Sequence, residues 1–444
     1  MKIIPVALFF LSFFASLVSN AILRQVAKDK NILIDLPDES RKFHTQPTPQ
    51  TGGIGISIGI IFSAIFLIFL TEPSYDNDIS SKNLIGNDQN LLLEENLILD
   101  DSFISLDVEF SDELIESLKE KNSLLLRPID DDRFILIDSS GEAKLYDFST
   151  TNQKNIEKFY DNNKEDFSLN NFNIGLIVFT LIVQVIMIFD DLWSIRPLAK
   201  LLYQSLCVLG LIIVSDIYIA NLGNLFGFGE ISLGIFGIPF TVFCVVGMMN
   251  AFNFIDGLNG LCASMSLVCF VTIAYMINLN DAPSLFPLIL PIGSIMGFLM
   301  YNLGIFGSNR NVFLGDNGAN ALGFMSSWML IYFSSHESAN FAPVTALWLI
   351  AFPLMNAVYV IINRYFSGIF LMTARSDHVH NILSGKGLSS ENIYIVLIIG
   401  SGIFAFVGSI LNSNFFEKDF ISFYCFVVFS LCYYLYLNKL EKSV

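Results

Sequence analysis

Five polar clusters interrupt an otherwise apolar chain of 444 residues. The first runs from Arg41-Lys-Phe-His44 to Thr48-Pro-Gln-Thr-Gly52-Gly53. The second is the pair Asp190-Asp191. The third is Asn250-Ala-Phe-Asn253-Phe-Ile-Asp256-Gly-Leu-Asn259-Gly260. The fourth is Phe313-Leu-Gly315-Asp316-Asn-Gly318, and the fifth is Arg375-Ser-Asp377-His378-Val-His380-Asn381. Three of the four histidines fall inside these clusters, so groups able to move protons or bind phosphate are concentrated there.

That inventory suits phosphoryl transfer. Carboxylates are hard oxygen ligands for Mg²⁺, which takes one or two of them and completes its shell with substrate phosphates. A metal on a diphosphate neutralises charge building on the leaving group. Gly315-Asp316-Asn-Gly318 opening a helix would present N–H groups to phosphate oxygens. Arg41, His44, His378 and His380 can hold further phosphate oxygens. Plainer readings exist for each cluster. An aspartate pair can simply end a helix, Gly-Asp-Asn-Gly can be a turn or cap, and His378-Val-His380 can be an ordinary loop pair. The apolar run Ile-Met-Ile-Phe directly before Asp190 argues for function, because ionisable groups at membrane depth are costly. Gly53-Ile-Gly55-Ile-Ser-Ile-Gly59 has the wrong spacing for a dinucleotide site and suits close helix packing. Ser384-Gly-Lys386-Gly is too short for a phosphate-binding P-loop.

The elements that must carry these clusters are membrane helices. The chain is 53% hydrophobic with a mean hydropathy of +0.60, and about 20 apolar residues span a bilayer core. Eleven spans are expected, at about 3–23, 52–70, 172–189, 198–215, 236–254, 258–277, 284–302, 318–334, 342–366, 392–412 and 418–437. The fold class is therefore an all-α polytopic membrane protein. With the N-terminus outside, thirteen Lys and Arg fall on the inner side and only Lys2 and Lys418 on the outer one, leaving the long insert aside. This predicts a cytoplasmic C-terminus and places all five clusters on the cytoplasmic face. The first helix lacks a clean cleavage site and is followed by Arg24, Lys28 and Lys30, so it reads as retained.

The net charge of −17 is local. Residues 72–171 hold 24 of the 41 acids and 9 of the 24 bases, a charge of −15, which leaves −2 for the rest. The acidic balance thus says nothing of a partner, and no nucleic-acid partner is expected. The expected organisation is a first membrane part over 1–71, an acidic exterior insert over 72–171 and a second membrane part over 172–444. Within the insert, Arg133–Asp138 and Glu142–Phe148 flank Ser-Ser-Gly and read as a β-hairpin. A contact with other assembly proteins is one role for it. Residues 217–235, rich in Gly and Asn, read as a short outer hairpin. The six cysteines lie in apolar runs without metal or disulfide spacing and read as packing residues.

Together the motifs resemble the polyprenyl-phosphate N-acetylhexosamine-1-phosphate transferase family. The branch suggested by Asn250-Ala-Phe-Asn-Phe-Ile-Asp-Gly, Phe313-Leu-Gly-Asp and Pro343-Val-Thr-Ala-Leu-Trp-Leu-Ile-Ala-Phe-Pro-Leu-Met355 acts on UDP-N-acetylglucosamine and undecaprenyl phosphate. The resemblance covers roughly 1–70 and 172–444 and leaves the insert outside. It implies catalytic roles for Asp190, Asp191, Asp256 and Asp316, with Mg²⁺ (Mn²⁺ as the alternative) on Asp316 and Asp191. It implies substrate contacts for Arg41, His44, Asn250, Asn253, Asn259, His378, His380 and Asn381. The implied partners are a UDP-N-acetylhexosamine, undecaprenyl phosphate and the lipid bilayer, and a homodimer is an arrangement it allows. The implied place is the bacterial inner membrane, in the first membrane step of O-antigen or related polysaccharide synthesis.

Three departures bear on the donor sugar. Asn259, Asn356 and Asn381 stand where the family pattern has aspartate, aspartate and histidine. Alternatives are the same reaction with phospho-N-acetylmuramoyl-pentapeptide or a deoxy-N-acetylhexosamine as the sugar part, a catalytically decayed sensor, or a transporter.

Overall fold

The computed structural model describes residues 3–37, 46–71, 125–128, 133–137, 143–147, 171–193, 195–277, 282–335, 340–370, 375, 377–412 and 419–442. Arg41, His44 and His336 lie outside the described residues, as does most of the insert. Contacts divide the chain into two units, 1–70 with 169–444, and 71–168.

The larger unit is helical. In chain order it holds α1 (Ile3–Lys30), a two-residue pair of strands β1 (Ile34–Asp35) and β2 (Thr48–Pro49), and α2 (Gly52–Thr71). After the insert follow α3 (Asn171–Trp193), α4 (Pro197–Ser215), α5 (Gly237–Ile255), α6 (Leu261–Met276), α7 (Ala282–Asn302) and α8 (Gly315–Ser335). The chain closes with α9 (Pro343–Leu349), α10 (Ala351–Phe366), α11 (Val379–Gly385), α12 (Ser390–Asn412) and α13 (Asp419–Lys442). The smaller unit contains an antiparallel sheet of β3 (Leu125–Pro128), β4 (Arg133–Ile137) and β5 (Ala143–Asp147), in that order. The β4–β5 hairpin is the one read from the sequence, with Arg133 opposite Asp147 and Ile137 opposite Ala143. Strand β3 leaves no mark in the sequence, because Leu-Leu-Arg-Pro is too short to show an alternating pattern.

Among the described residues, seven helices are long and apolar enough to cross a membrane, and eight if the bent pair α9–α10 counts as one span. Such a set of apolar helices belongs to a polytopic membrane protein. Each of the eleven expected spans falls on a helix or on that pair. Of the others, α6 is a shorter apolar helix, α2 is apolar over Gly52–Ile68, and α8 is too polar to qualify by composition.

The expected single helix over 342–366 is corrected. The chain bends by 82° between α9 and α10. The break falls at Ile350 (φ −117°, ψ 26°), three residues before Pro353. A proline inside a helix has no N–H for the carbonyl four residues earlier and its ring crowds that carbonyl. The first helix is also longer than expected, reaching Lys30.

Packing centres on α8, which is buried on nearly every face and meets α5, α3 and α6. Trp328 and Phe324 of α8 and Phe252 of α5 are fully buried there. Helix α1 lies along α7, and small residues let them approach. Gly59 of α2 faces Ser294 and Ser16, and Gly297 of α7 faces the backbone of α1 at Phe13. The glycines of the Gly53–Gly59 run thus serve helix contact, the packing role expected of them. Outward faces are apolar: Phe10, Phe14, Val18 and Ile22 recur every fourth residue along α1 and are about half exposed. Residues 217–235 form the expected hairpin, bridged between Asn221 and Ser232.

Candidate active site

Four of the five clusters meet at one end of the helical unit. The C-terminal ends of α3 and α5 and the N-terminal ends of α2, α4 and α8 converge there. Asp190 closes α3: its Oδ1 accepts a hydrogen bond from the backbone N–H of Ile195 at 2.8 Å. Pro197 begins α4, its missing N–H costing nothing at a helix start. That short turn places Lys200 in the first turn of α4, where its Nζ lies 3.1 Å from Asp190 Oδ2 and 3.4 Å from Asp316 Oδ2.

Asp316 is held by the start of α8. Gly315 adopts φ +77°, a left-handed conformation that glycine enters without penalty. Ahead of it, the backbone of Phe313 and Leu314 pairs with the first cluster. Phe313 N–H donates to Pro49 O at 2.8 Å, while Gly52 and Gly53 N–H donate to Phe313 O and Leu314 O at 2.9 and 3.1 Å. A Cβ on Gly318 would come within 2.8 Å of Gly53 Cα. Gln184 of α3 donates to Gly53 O at 2.8 Å, and Asn317 donates to Gln50 O at 3.3 Å. The segment Thr48–Gly53 is therefore stitched to the turn that carries Asp316.

From α5, Asn253 Nδ2 reaches Asp316 Oδ2 at 3.4 Å. Asp191 is half-buried and feels the charges of Asp316, Asp190 and Lys200. Asp256 follows the end of α5. Burial and the nearby charge of Asp316 both hold its carboxyl well above the usual carboxylate range. Direct contacts thus join Asp190, Lys200, Asn253 and Asp316, and Asp191 and Asp256 lie close enough to feel the charge of Asp316.

The fifth cluster is built differently. Arg364, near the end of α10 and 3% exposed, forks onto Asp377, with Nε and Nη2 at 2.8 and 2.7 Å from its two carboxylate oxygens. Burial pushes the Asp377 carboxyl up, but the bonds and charge of Arg364 outweigh it and leave the group below its ordinary range. Asn356 Oδ1 accepts the N–H of Val379 at 2.9 Å. These two tethers on α10 hold the loop so that His378 stacks on Phe254 of α5, with centroids 5.1 Å apart, and on His380 at 5.8 Å. His380 sits directly over Gly257, where any side chain would overlap its ring. Burial lowers His378 to about 4 and His380 to about 3, so both imidazoles are neutral at physiological pH. The Nδ1 atoms of both are buried and have no hydrogen-bond partner among the described residues.

Other expected residues are placed as follows. Asn259 is exposed beyond α5 and Asn381 is partly exposed in α11. Asn250 points inward, its Nδ2 bonded to Gln204 Oε1 and Val246 O. Asn356, fully buried, acts on the loop backbone rather than on an open surface.

In the sequence, Lys200 is only one of the thirteen inner-side basic residues. A signal was present: a lysine in the first turn of a helix faces the positive end of the helix dipole, so it needs anions nearby. Arg364 was missed in the same way, hidden at the end of an apolar span.

Buried acceptor atoms lacking a donor are a place where a hard cation fits. Among the described residues, Asp191 Oδ2 and Asn253 Oδ1 are such atoms. Among the described residues no three acidic, histidine or cysteine side chains converge as a closed metal cage.

Apolar helices with a lysine, carboxylates and amides gathered at one end define a polytopic membrane protein with a polar, charged centre. The family model for glycosyl transferase family 4 matches residues 173–334, and the chain belongs to that family. It is 30% identical over 258 residues to the undecaprenyl-phosphate alpha-N-acetylglucosaminyl 1-phosphate transferase of Escherichia coli K12, covering 57% of this chain and 69% of the relative. The protein of that name from Haemophilus influenzae is 33% identical over 274 residues, covering 60% and 75%. That from Salmonella typhi is 29% identical over 285 residues, covering 62% and 76%.

Proposed function

We infer that this protein transfers N-acetylhexosamine-1-phosphate, with N-acetylglucosamine as the sugar, from its UDP derivative to undecaprenyl phosphate at the cytoplasmic face of a bacterial inner membrane. The eleven-span, N-out arrangement belongs to this reading, as does a role at the start of O-antigen or related polysaccharide synthesis. The observation that carries it is the meeting of Asp190, Lys200, Asn253 and Asp316 from four helices at one end of the bundle.

In the reaction, an oxygen of the lipid phosphate attacks the sugar-linked phosphorus, the bond from that phosphorus to the bridging oxygen breaks, and UMP leaves. Asp191 and Asp316 would hold Mg²⁺ or Mn²⁺, which when bound supplies charge neutralisation on the diphosphate. Lys200, already between two carboxylates, supplies a positive charge for phosphate oxygens. Asp190, paired with Lys200, orients the lipid phosphate. The start of α8 offers N–H groups to an anion. His378 and His380, being neutral, act as hydrogen-bond partners for the nucleotide-sugar rather than as fixed charges. The stacked Phe254, His378 and His380 rings suit a flat base or sugar face.

The test is UMP release by the purified protein from UDP-N-acetylglucosamine with Mg²⁺ and a short polyprenyl phosphate. Release that needs all three and stops with a chelator supports the reading. Absence of release across a panel of UDP-N-acetyl sugars would overturn it.

A further inference from the structure

Beneath the carboxylate cluster, three amide side chains link three helices. Asn250 Nδ2 on α5 donates to Gln204 Oε1 on α4 at 2.9 Å. Gln204 Nε2 donates to Asn320 Oδ1 on α8 at 2.7 Å. Asn320 Nδ2 then donates to the backbone carbonyl of Asp316 at 2.8 Å. Gln204 is 1% exposed and Asn320 fully buried.

The spacing ties this chain to the site. Gln204 lies four residues after Lys200, Asn320 four after Asp316, and Asn250 three before Asn253. Residues three or four apart share a helix face. Each amide is therefore one turn deeper than a side chain that faces the carboxylates. Apolar contacts between helices are non-directional and tolerate small slides and rotations, whereas hydrogen bonds lose strength quickly with angle. At membrane depth no water replaces a lost bond.

The geometry points to Gln204 and Asn320 as positioning residues that set the mutual register of α4, α5 and α8, so that Lys200, Asn253 and Asp316 meet. This rests on the transferase reading for its kinetic consequence and on the hydrogen bonds alone for its structural one. Neither residue touches substrate; each acts through a neighbour one turn away.

The experiment uses the full chain with Gln204→Met, Asn320→Leu and both together. The double substitution removes both partners, so no buried amide of the pair is left unpaired and stability changes little. Asn250 Nδ2 keeps its bond to Val246 O. Expected are a fall in kcat of about tenfold or more, a higher half-saturating Mg²⁺ concentration, an unchanged KM for the UDP-sugar and an unchanged melting temperature. Parental kcat and Mg²⁺ dependence in the double variant would overturn the proposal, as would a loss of activity that merely tracks a loss of stability.

A second readout needs no turnover. Acetylation of Lys200 by acetic anhydride, measured by mass spectrometry relative to Lys439, should rise severalfold in the double variant as the ammonium leaves its two carboxylates. An unchanged ratio overturns the proposal. A raised ratio with a parent that releases no UMP would remove the transferase reading and leave the amide register standing.

Discussion

Lys200 and Asp316, 116 residues apart in the chain, meet at 3.4 Å between Nζ and Oδ2. The same ammonium contacts Asp190, so one cation joins α3, α4 and α8. Lys200→Met should lower turnover by about a hundredfold while the protein stays folded, since misplaced or missing charge at the reacting phosphates costs that order. Lys200→Arg should recover part of the loss. Parental turnover in purified Lys200→Met would remove this residue from the mechanism.

Asp190→Asn, Asp191→Asn and Asp316→Asn keep shape and remove charge. Each should cut UMP release by about two orders of magnitude or more, with melting temperatures near that of the parent. For Asp191→Asn and Asp316→Asn, raising Mg²⁺ should restore some activity, which titration against Mg²⁺ would reveal; for Asp190→Asn it should not.

The fork between Arg364 and Asp377 is buried on both sides, at 3% side-chain exposure each. Removing one partner leaves an unpaired charge in a dry place, at a cost of about 3–5 kcal/mol. Arg364→Met should therefore destabilise more than Arg364→Met with Asp377→Asn. Thermal unfolding of the three proteins in detergent checks the order. The single variant should also raise KM for the UDP-sugar, because the loop carrying His378 loses a tether.

His378 and His380 make stability depend on pH. Both have folded pKa values below the ordinary 6.5, at about 4 and about 3. Below about pH 6.5 the unfolded chain takes protons that the folded protein refuses, so stability falls on acidification. The slope is about 1.4 kcal/mol per pH unit for each imidazole, down to the folded values. Asp256, raised by burial and Asp316, works in the opposite sense, gaining stability as the pH falls toward its ordinary range. Comparing the parent with His380→Gln isolates the imidazole: the acid limb between pH 6.5 and 4 should be shallower in the variant. Equal slopes would count against a buried, neutral His380.

Gly53 and Gly318 pack backbone to backbone, each leaving no room for a side chain on the other. Backbone atoms cannot turn aside as a side-chain tip can. Gly318→Ala should cost about 1–3 kcal/mol and reduce turnover further than stability alone explains, because Asp316 lies on the same turn. Retained activity with retained stability would show that the loop relaxes freely.

Much of this was legible in the chain itself. Long apolar runs cannot stay in water, so the helices and their approximate places follow from composition, and hairpin β4–β5 follows from alternation around Ser-Ser-Gly. The polar clusters announce themselves because charge in an apolar chain is costly enough to need a reason. What the sequence could not hold is which side chains meet. Lys200 looked like any lysine at a membrane edge until folding set it between two aspartates. Asn250 looked like a substrate contact, and packing turned it toward Gln204. Arg364 and Asp377 read as two separate charges near a helix end and a loop, and only packing makes them a buried fork. Periodicity and hydropathy are local properties of a chain, whereas a contact between residues over a hundred positions apart depends on how every helix between them packs.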